Sequence, residues 1–138
     1  MILKILIIAA EPSGDKLGAN LIDGLISECK GKKRLSFHGL GGPMMKSKGL
    51  VSFYNYDELS VMGFLEVIPK LSKILKIISR ISNYALVWKP DLIITIDSPD
   101  FSLKIAKRIK KIWPDAKTVH YVAPSVWAWR AYRAHRMA

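Results

Sequence analysis

The 138 residues predict an α/β domain built on a doubly wound parallel sheet, and three observations carry that expectation. Short β-branched runs alternate with longer segments of helical period along the chain. The first run, Ile2 to Ala9, is aliphatic almost without interruption, as a strand covered on both faces must be. Turn-forming and acidic residues gather after the strands, where the ligands of an open parallel sheet bind.

After the first strand, Ser13 and Asp15 mark the start of a helix, and Leu17, Leu21 and Leu25, with Ile22 and Ile26, recur at helical spacing as its core stripe. Leu35 to Leu40 reads as a second strand. Gly41-Gly42-Pro43 then turns the chain into a short helix with proline at or near its first position. Leu50 to Tyr54 is a weaker third strand. Pro69 opens a long amphipathic helix with an apolar stripe of Leu71, Ile74, Leu75, Ile78, Ile81, Ala85 and Trp88, and Lys89-Pro90 stops it. Leu92 to Ile96 is a fourth strand. Pro99 to Ile112 is a basic helix that buries Phe101, Ile105, Ile109 and Ile112, and Thr118 to Val122 is the fifth strand. Right-handed crossovers between such units predict the strand order 3-2-1-4-5. With no repeat, low-complexity tract or Pro/Gly/Ser linker, residues 1–138 form one domain.

Half the residues are apolar and about a quarter charged, which excludes a disordered chain. Cys29 is the one cysteine, so a disulfide framework and a cysteine zinc site within the chain are excluded, in keeping with a reducing cytosol. Met1 to Ala10 imitates a signal peptide, but its apolar run is too short for one. No stretch approaches the ~18 apolar residues of a membrane span. His38, His120 and His135 lack metal-ligand spacing, and no metal or cofactor is expected. Lysine and arginine outnumber aspartate and glutamate by 22 to 11, a net charge of +11 that attracts nucleic acid, anionic lipid or phosphorylated small molecules. Many of the positive residues fall along the last two helices, as a solvated face or as a lipid-facing one.

Four elaborate segments share the carboxyl edge of the expected sheet. They are Glu11 to Asp15, Gly39 to Pro43, Asp97 to Asp100 and Pro124 to Arg130. The first and fourth strands flank the point where the winding reverses, so Glu11 and Asp97 should face one crevice. Ser13-Gly14-Asp15 with Gly18 suits either an anionic or sugar ligand at a helix N-terminus or a plain cap by Ser13. The Gly39 to Pro43 turn lacks the G-x-G-x-x-G spacing of a dinucleotide fingerprint and the lysine of a phosphate loop, so a tight strand-to-helix turn is its default. Ser98 suffices to cap the following helix and Asp100 suits its dipole, which leaves Asp97 without a structural task. A carboxylate at a buried strand end carries a desolvation cost, and it serves there as a general base or as a cap. Trp127 and Trp129 share a face if the segment is extended, able to pack on sugar, acyl chain or the edge of the core.

Taken in order, these segments resemble the lipid-A-disaccharide synthases, glycosyltransferases of family 19 that act in lipopolysaccharide assembly. The resemblance runs through Glu11-Pro12-Ser13-Gly14-Asp15 with Gly18-Ala19, Gly39 to Met44, Glu58 to Gly63, Glu66-Val67, Asp97 to Phe101, and His120 to Arg130. It implies a Rossmann-like N-terminal domain of a two-domain GT-B architecture, with the C-terminal, donor-binding domain absent from this chain. The implied reaction joins a UDP-2,3-diacylglucosamine donor to 2,3-diacylglucosamine 1-phosphate with inversion and release of UDP. Asp97 matches the family's base. Glu11, Ser13, Gly14, Asp15, Gly41, Gly42, Met62, Ser125, Trp127 and Arg130 match positions at the substrate. The resemblance also implies a cytoplasmic protein, peripheral on the inner face of the inner membrane of a Gram-negative bacterium, meeting an anionic surface and no nucleic acid, with self-association left open.

Two positions depart from the family pattern. Ala10 stands where glycine is frequent before the glutamate, and Ser102 replaces an asparagine whose amide could reach substrate. The 138 residues alone are expected to be inactive. The rival readings are another GT-B enzyme acting on a UDP-sugar, a stand-alone flavodoxin-like binding domain, and a basic nucleic-acid-binding protein, which lacks a recognition motif here.

Overall fold

A computed structural model of the chain describes residues 2–10, 12–29, 32–55, 68–97 and 99–121. Its elements run β1 (Ile2–Ala9), α1 (Pro12–Glu28), β2 (Arg34–Gly41), α2 (Pro43–Ser47), β3 (Val51–Asn55), α3 (Ile68–Trp88), β4 (Leu92–Ile96), α4 (Pro99–Ile112) and β5 (Thr118–Tyr121). The strands form one parallel sheet in the order β3-β2-β1-β4-β5, the order expected from the sequence. β1 lies at its centre because both of its faces are apolar: Ile5 to Ala10 are all buried. Side chains alternate across a strand, so Leu6, Ile8 and Ala10 join Ile93 under α3 and α4, while Ile5, Ile7 and Ala9 join Ile94 and Ile96 under α1. Each leucine or isoleucine among them contributes about 1.5–3 kcal/mol when fully buried.

The helices keep their expected positions but shift their core stripes. Along α1 the buried line is Gly14, Asp15, Gly18, Ala19 and Ile22, with Leu17, Leu21 and Leu25 flanking it half-buried and Ile26 exposed. Small residues let α1 lie close to the sheet, so the leucines end up on its shoulders. Among the described side chains of α3 the buried ones are Ile77, Ile78, Ile81, Ser82 and Ala85, whereas Leu75 is half exposed. In α4 the stripe of Phe101, Ile105 and Ile109 holds, but Ile112 in the last turn is two-thirds exposed. Ser102 lies in the interior, and among the described residues its hydroxyl has no hydrogen-bond partner. α3 ends at Trp88; the Lys89 N–H still donates to the Ala85 carbonyl at 2.9 Å, and the left-handed backbone of Lys89 (φ 54°) then turns the chain out of the helix ahead of Pro90. Among the described residues no helix is long and apolar enough to cross a membrane.

Candidate functional site

The winding reverses between β1, which is followed by α1, and β4, which is followed by α4, and Asp97 is the first residue past β4. Its backbone is left-handed (φ 46°), a region that aspartate and asparagine tolerate better than other side-chain-bearing residues. The Asp97 N–H donates to the Tyr121 carbonyl at 3.0 Å, extending the β4–β5 ladder one residue past the strand. The turn out of β4 is therefore tied down while the side chain stays half-buried. The side chain thus stands at the carboxyl end of β4, the edge of an open parallel sheet at which ligands bind.

Across the crevice, α1 starts at Pro12, so Ser13 lies inside the first turn and does not cap it; Ser13 is exposed. Gly14 packs on the ends of the two switch-point strands. A Cβ there would stand 3.3 Å from the Ala9 Cβ and 3.5 Å from Ile96 Cγ2, so glycine sets how closely the helix N-terminus approaches β4. Asp15 is buried, and its carboxylate points at α2. Oδ1 accepts from the N–H groups of Gly42 at 2.9 Å and Met45 at 3.0 Å, and Oδ2 accepts from that of Met44 at 3.0 Å. Gly42 occupies the N-cap of α2 and has no side chain to cap with. Asp15 does that work from another helix. The Gly41 N–H donates to the Ser52 hydroxyl at 3.2 Å. The Gly41-Gly42 turn is thus hydrogen-bonded within the protein, as a tight strand-to-helix turn.

The edge therefore gathers Ser13, Gly14, Asp15, Gly41, Gly42 and Asp97. Glu11, Met62, Ser125, Trp127 and Arg130, together with the Leu59–Leu65 segment and Trp129, lie outside the described residues. Two polar clusters escaped the sequence reading. The Thr95 hydroxyl lies 2.8 Å from His120 Nδ1 on paired positions of β4 and β5, two residues before Asp97. A buried threonine within the aliphatic run Leu92–Ile96 was its one signal. Under α3, His38 Nδ1 lies 2.7 Å from the Tyr84 hydroxyl and stacks on Trp88 with ring centroids 4.3 Å apart, and Lys4 Nζ donates to the Trp88 carbonyl at 2.6 Å. Burial pushes the His38 imidazole below its ordinary pKa and the Tyr84 phenol above its own. The i, i+4 pair Tyr84 and Trp88 was the available sign of this cluster. A concavity of about 290 Å³ beside it is lined by Phe53, Arg80, Ile81 and Tyr84. Among the described residues no three His, Cys, Asp or Glu side chains are grouped as a metal ion needs.

Fold and edge together define a doubly wound α/β domain whose winding reverses between β1 and β4, the place where open parallel sheets bind ligands. The family profile described as lipid-A-disaccharide synthetase matches residues 5–138, and the chain belongs to that family. It is 48% identical to the lipid-A-disaccharide synthase of Ruegeria pomeroyi over 137 residues, which are 99% of this chain and 33% of that protein. It is also 48% identical to the synthase of Blochmanniella pennsylvanica over 92% of this chain and 32% of that one, and 42% identical to that of Francisella tularensis subsp. novicida over 98% and 34%. The chain spans about a third of the length of these curated relatives.

Proposed function

We propose that these residues form the N-terminal domain of a GT-B glycosyltransferase that makes the lipid A disaccharide. The donor is UDP-2,3-diacylglucosamine, held mainly by a second domain, and the acceptor is 2,3-diacylglucosamine 1-phosphate. Asp97 takes the proton from the acceptor hydroxyl as that oxygen attacks the anomeric carbon of the donor. The bond to UDP breaks on the opposite face, so the configuration inverts and UDP leaves. One carboxylate suffices for such a displacement. Ser13 is exposed on the first turn of α1 and available to a ligand, while Gly14 and Asp15 shape the rim, Gly14 by close packing and Asp15 by holding Gly42 to Met45 in place. Glu11, Gly41, Gly42, Met62, Ser125, Trp127 and Arg130 complete the substrate-facing set. The observation that carries this reading is a family match along the chain whose expected base sits at the switch point of the sheet.

The same reading places the protein on the cytoplasmic face of the inner membrane of a Gram-negative bacterium, held peripherally by its basic helices and the apolar segment Leu59–Leu65. That is where an acylated, phosphorylated acceptor resides. A chimera tests the transferase reading: residues 1–138 replace the matching N-terminal third of the Ruegeria pomeroyi synthase, and UDP release is followed with both acylated sugars present. Turnover by the chimera, with none by the 138 residues alone, is the expected result. A folded chimera that binds donor and never turns over would contradict the assignment.

A further inference from the structure

The sheet edge uses one face of the domain, and the outer faces of α3 and α4 carry a second feature that transfer chemistry does not require. Lys104, Lys107, Arg108 and Lys111 are spaced i, i+3, i+4 and i+7, which puts four cations on one stripe of α4. Together with Leu75 and Ile78 of α3 they line a groove of about 310 Å³. Ile78 is buried and Leu75 is 49% exposed, so the floor is apolar and open. Arg108 Nη2 donates to the Ser79 hydroxyl at 3.2 Å, which turns one of the cations toward α3.

Solvated helix faces commonly mix both signs of charge. In sequence, α3 has no acidic residue and α4 has Asp100 alone, at its start. Among the described side chains neither Lys107 nor Lys111 meets a carboxylate, and Lys104 stands four residues after Asp100 in the sequence. Lys110 and Lys111 in the last turn suit the helix dipole. Lys104 and Lys107 do not have that explanation, and the i, i+4 pairs Lys104–Arg108 and Lys107–Lys111 repel each other. The fold bears this repulsion without using it.

We infer that the α3–α4 groove is a binding site for a single anionic phospholipid, with its phosphate among Lys104, Lys107, Arg108 and Lys111 and the first methylenes of a chain on Leu75 and Ile78. Nucleic acid fits less well, because it presents no aliphatic chain to the exposed Leu75. The inference deepens the membrane reading above by naming the lipid and its seat, and it is independent of the transferase reading.

The test is a heteronuclear NMR titration of the 138-residue chain with dihexanoyl phosphatidylglycerol below its micelle concentration. Inorganic phosphate, dihexanoyl phosphatidylcholine and a short DNA duplex are titrated in parallel. Amides of residues 74–79 and 104–111 should shift and saturate with phosphatidylglycerol, and respond at least about tenfold more weakly to the other three probes. The triple variant K104Q/K107Q/K111Q should weaken phosphatidylglycerol binding by roughly tenfold or more. Leu75→Gln, at a half-exposed position that does not threaten folding, should weaken the lipid and leave the response to phosphate unchanged. Equal binding of phosphate or DNA, or a triple variant that titrates like the parent, would overturn the inference. Co-sedimentation with vesicles that persists in the triple variant would leave the broader membrane reading standing while removing this seat from it.

Discussion

At Asp15 a single buried carboxylate accepts three backbone N–H bonds from the start of α2, a helix whose own N-cap is a glycine. Asp15→Asn keeps the shape but turns one acceptor into a donor facing an N–H, and hydrogen bonds to a charged group are worth about 1.5–3 kcal/mol each. Urea unfolding should therefore show a loss of about 1.5–3 kcal/mol for Asp15→Asn; a loss under about 0.5 kcal/mol would show that α2 holds without it. Asp97 answers to a different local constraint. Its left-handed backbone is one that asparagine shares and alanine resists, so Asp97→Ala should unfold about 1 kcal/mol more easily than Asp97→Asn. Asparagine is therefore the substitution that separates the charge of Asp97 from its conformation.

Between elements, glycines set the spacing. A Cβ at Gly18 would stand 2.5 Å from Met45 Sδ, and one at Gly41 would stand 2.6 Å from the same atom, so α1, β2 and α2 close around one fully buried methionine. Methionine can swing away, and Gly18→Ala should cost only about 1 kcal/mol. Gly39 is less forgiving. Its φ of 147° is strained for any side chain, and a Cβ would run into the Ile7 carbonyl of the central strand. Gly39→Ala should cost at least ~3 kcal/mol or prevent folding, as read by circular dichroism against Gly18→Ala. The His38–Tyr84–Trp88 cluster ties β2 to α3 in a pH-dependent way. Burial lowers the folded-state pKa of His38, so the unfolded chain binds the extra proton first. Its contribution is fully present above the unfolded value near 6.5 and is lost as pH falls through the lower folded value. The His38 imidazole should titrate below 6.5 by NMR, with the urea midpoint falling over the same range; a His38 midpoint above 6.5 would refute this.

For the molecule as a whole, strand order and the placement of Asp97 at the carboxyl edge of the sheet were legible because both follow from chain order and two-residue alternation. Ile2–Ala9 could only be a central strand, and Asp97 had to lie at the carboxyl end of β4 once that order held. What periodicity could not show was which of several helical residues approach the sheet most closely. Gly14, Gly18 and Ala19 displaced Leu17, Leu21 and Leu25 from the buried line for that reason, and Ile26, Leu75 and Ile112 remained exposed. Nor could local signals connect Asp15 to N–H groups 27 to 30 residues away. The net charge of +11 gives a prediction at this scale: the chain should sediment with anionic vesicles at low salt and be released as ionic strength rises. Binding indifferent to anionic lipid would remove the membrane reading. The most direct test of the central claim is turnover by Asp97→Asn in the active chimera, with Asp100→Asn beside it as the control. Loss of a general base costs about 10²- to 10⁴-fold, so kcat should fall by that factor with donor affinity little changed, while Asp100→Asn loses only ~0.3–1 kcal/mol of stability. An Asp97→Asn chimera that folds like its parent and keeps near-normal turnover would contradict the account, making Asp97 structural and passing the acceptor's proton to another group, Glu11 first.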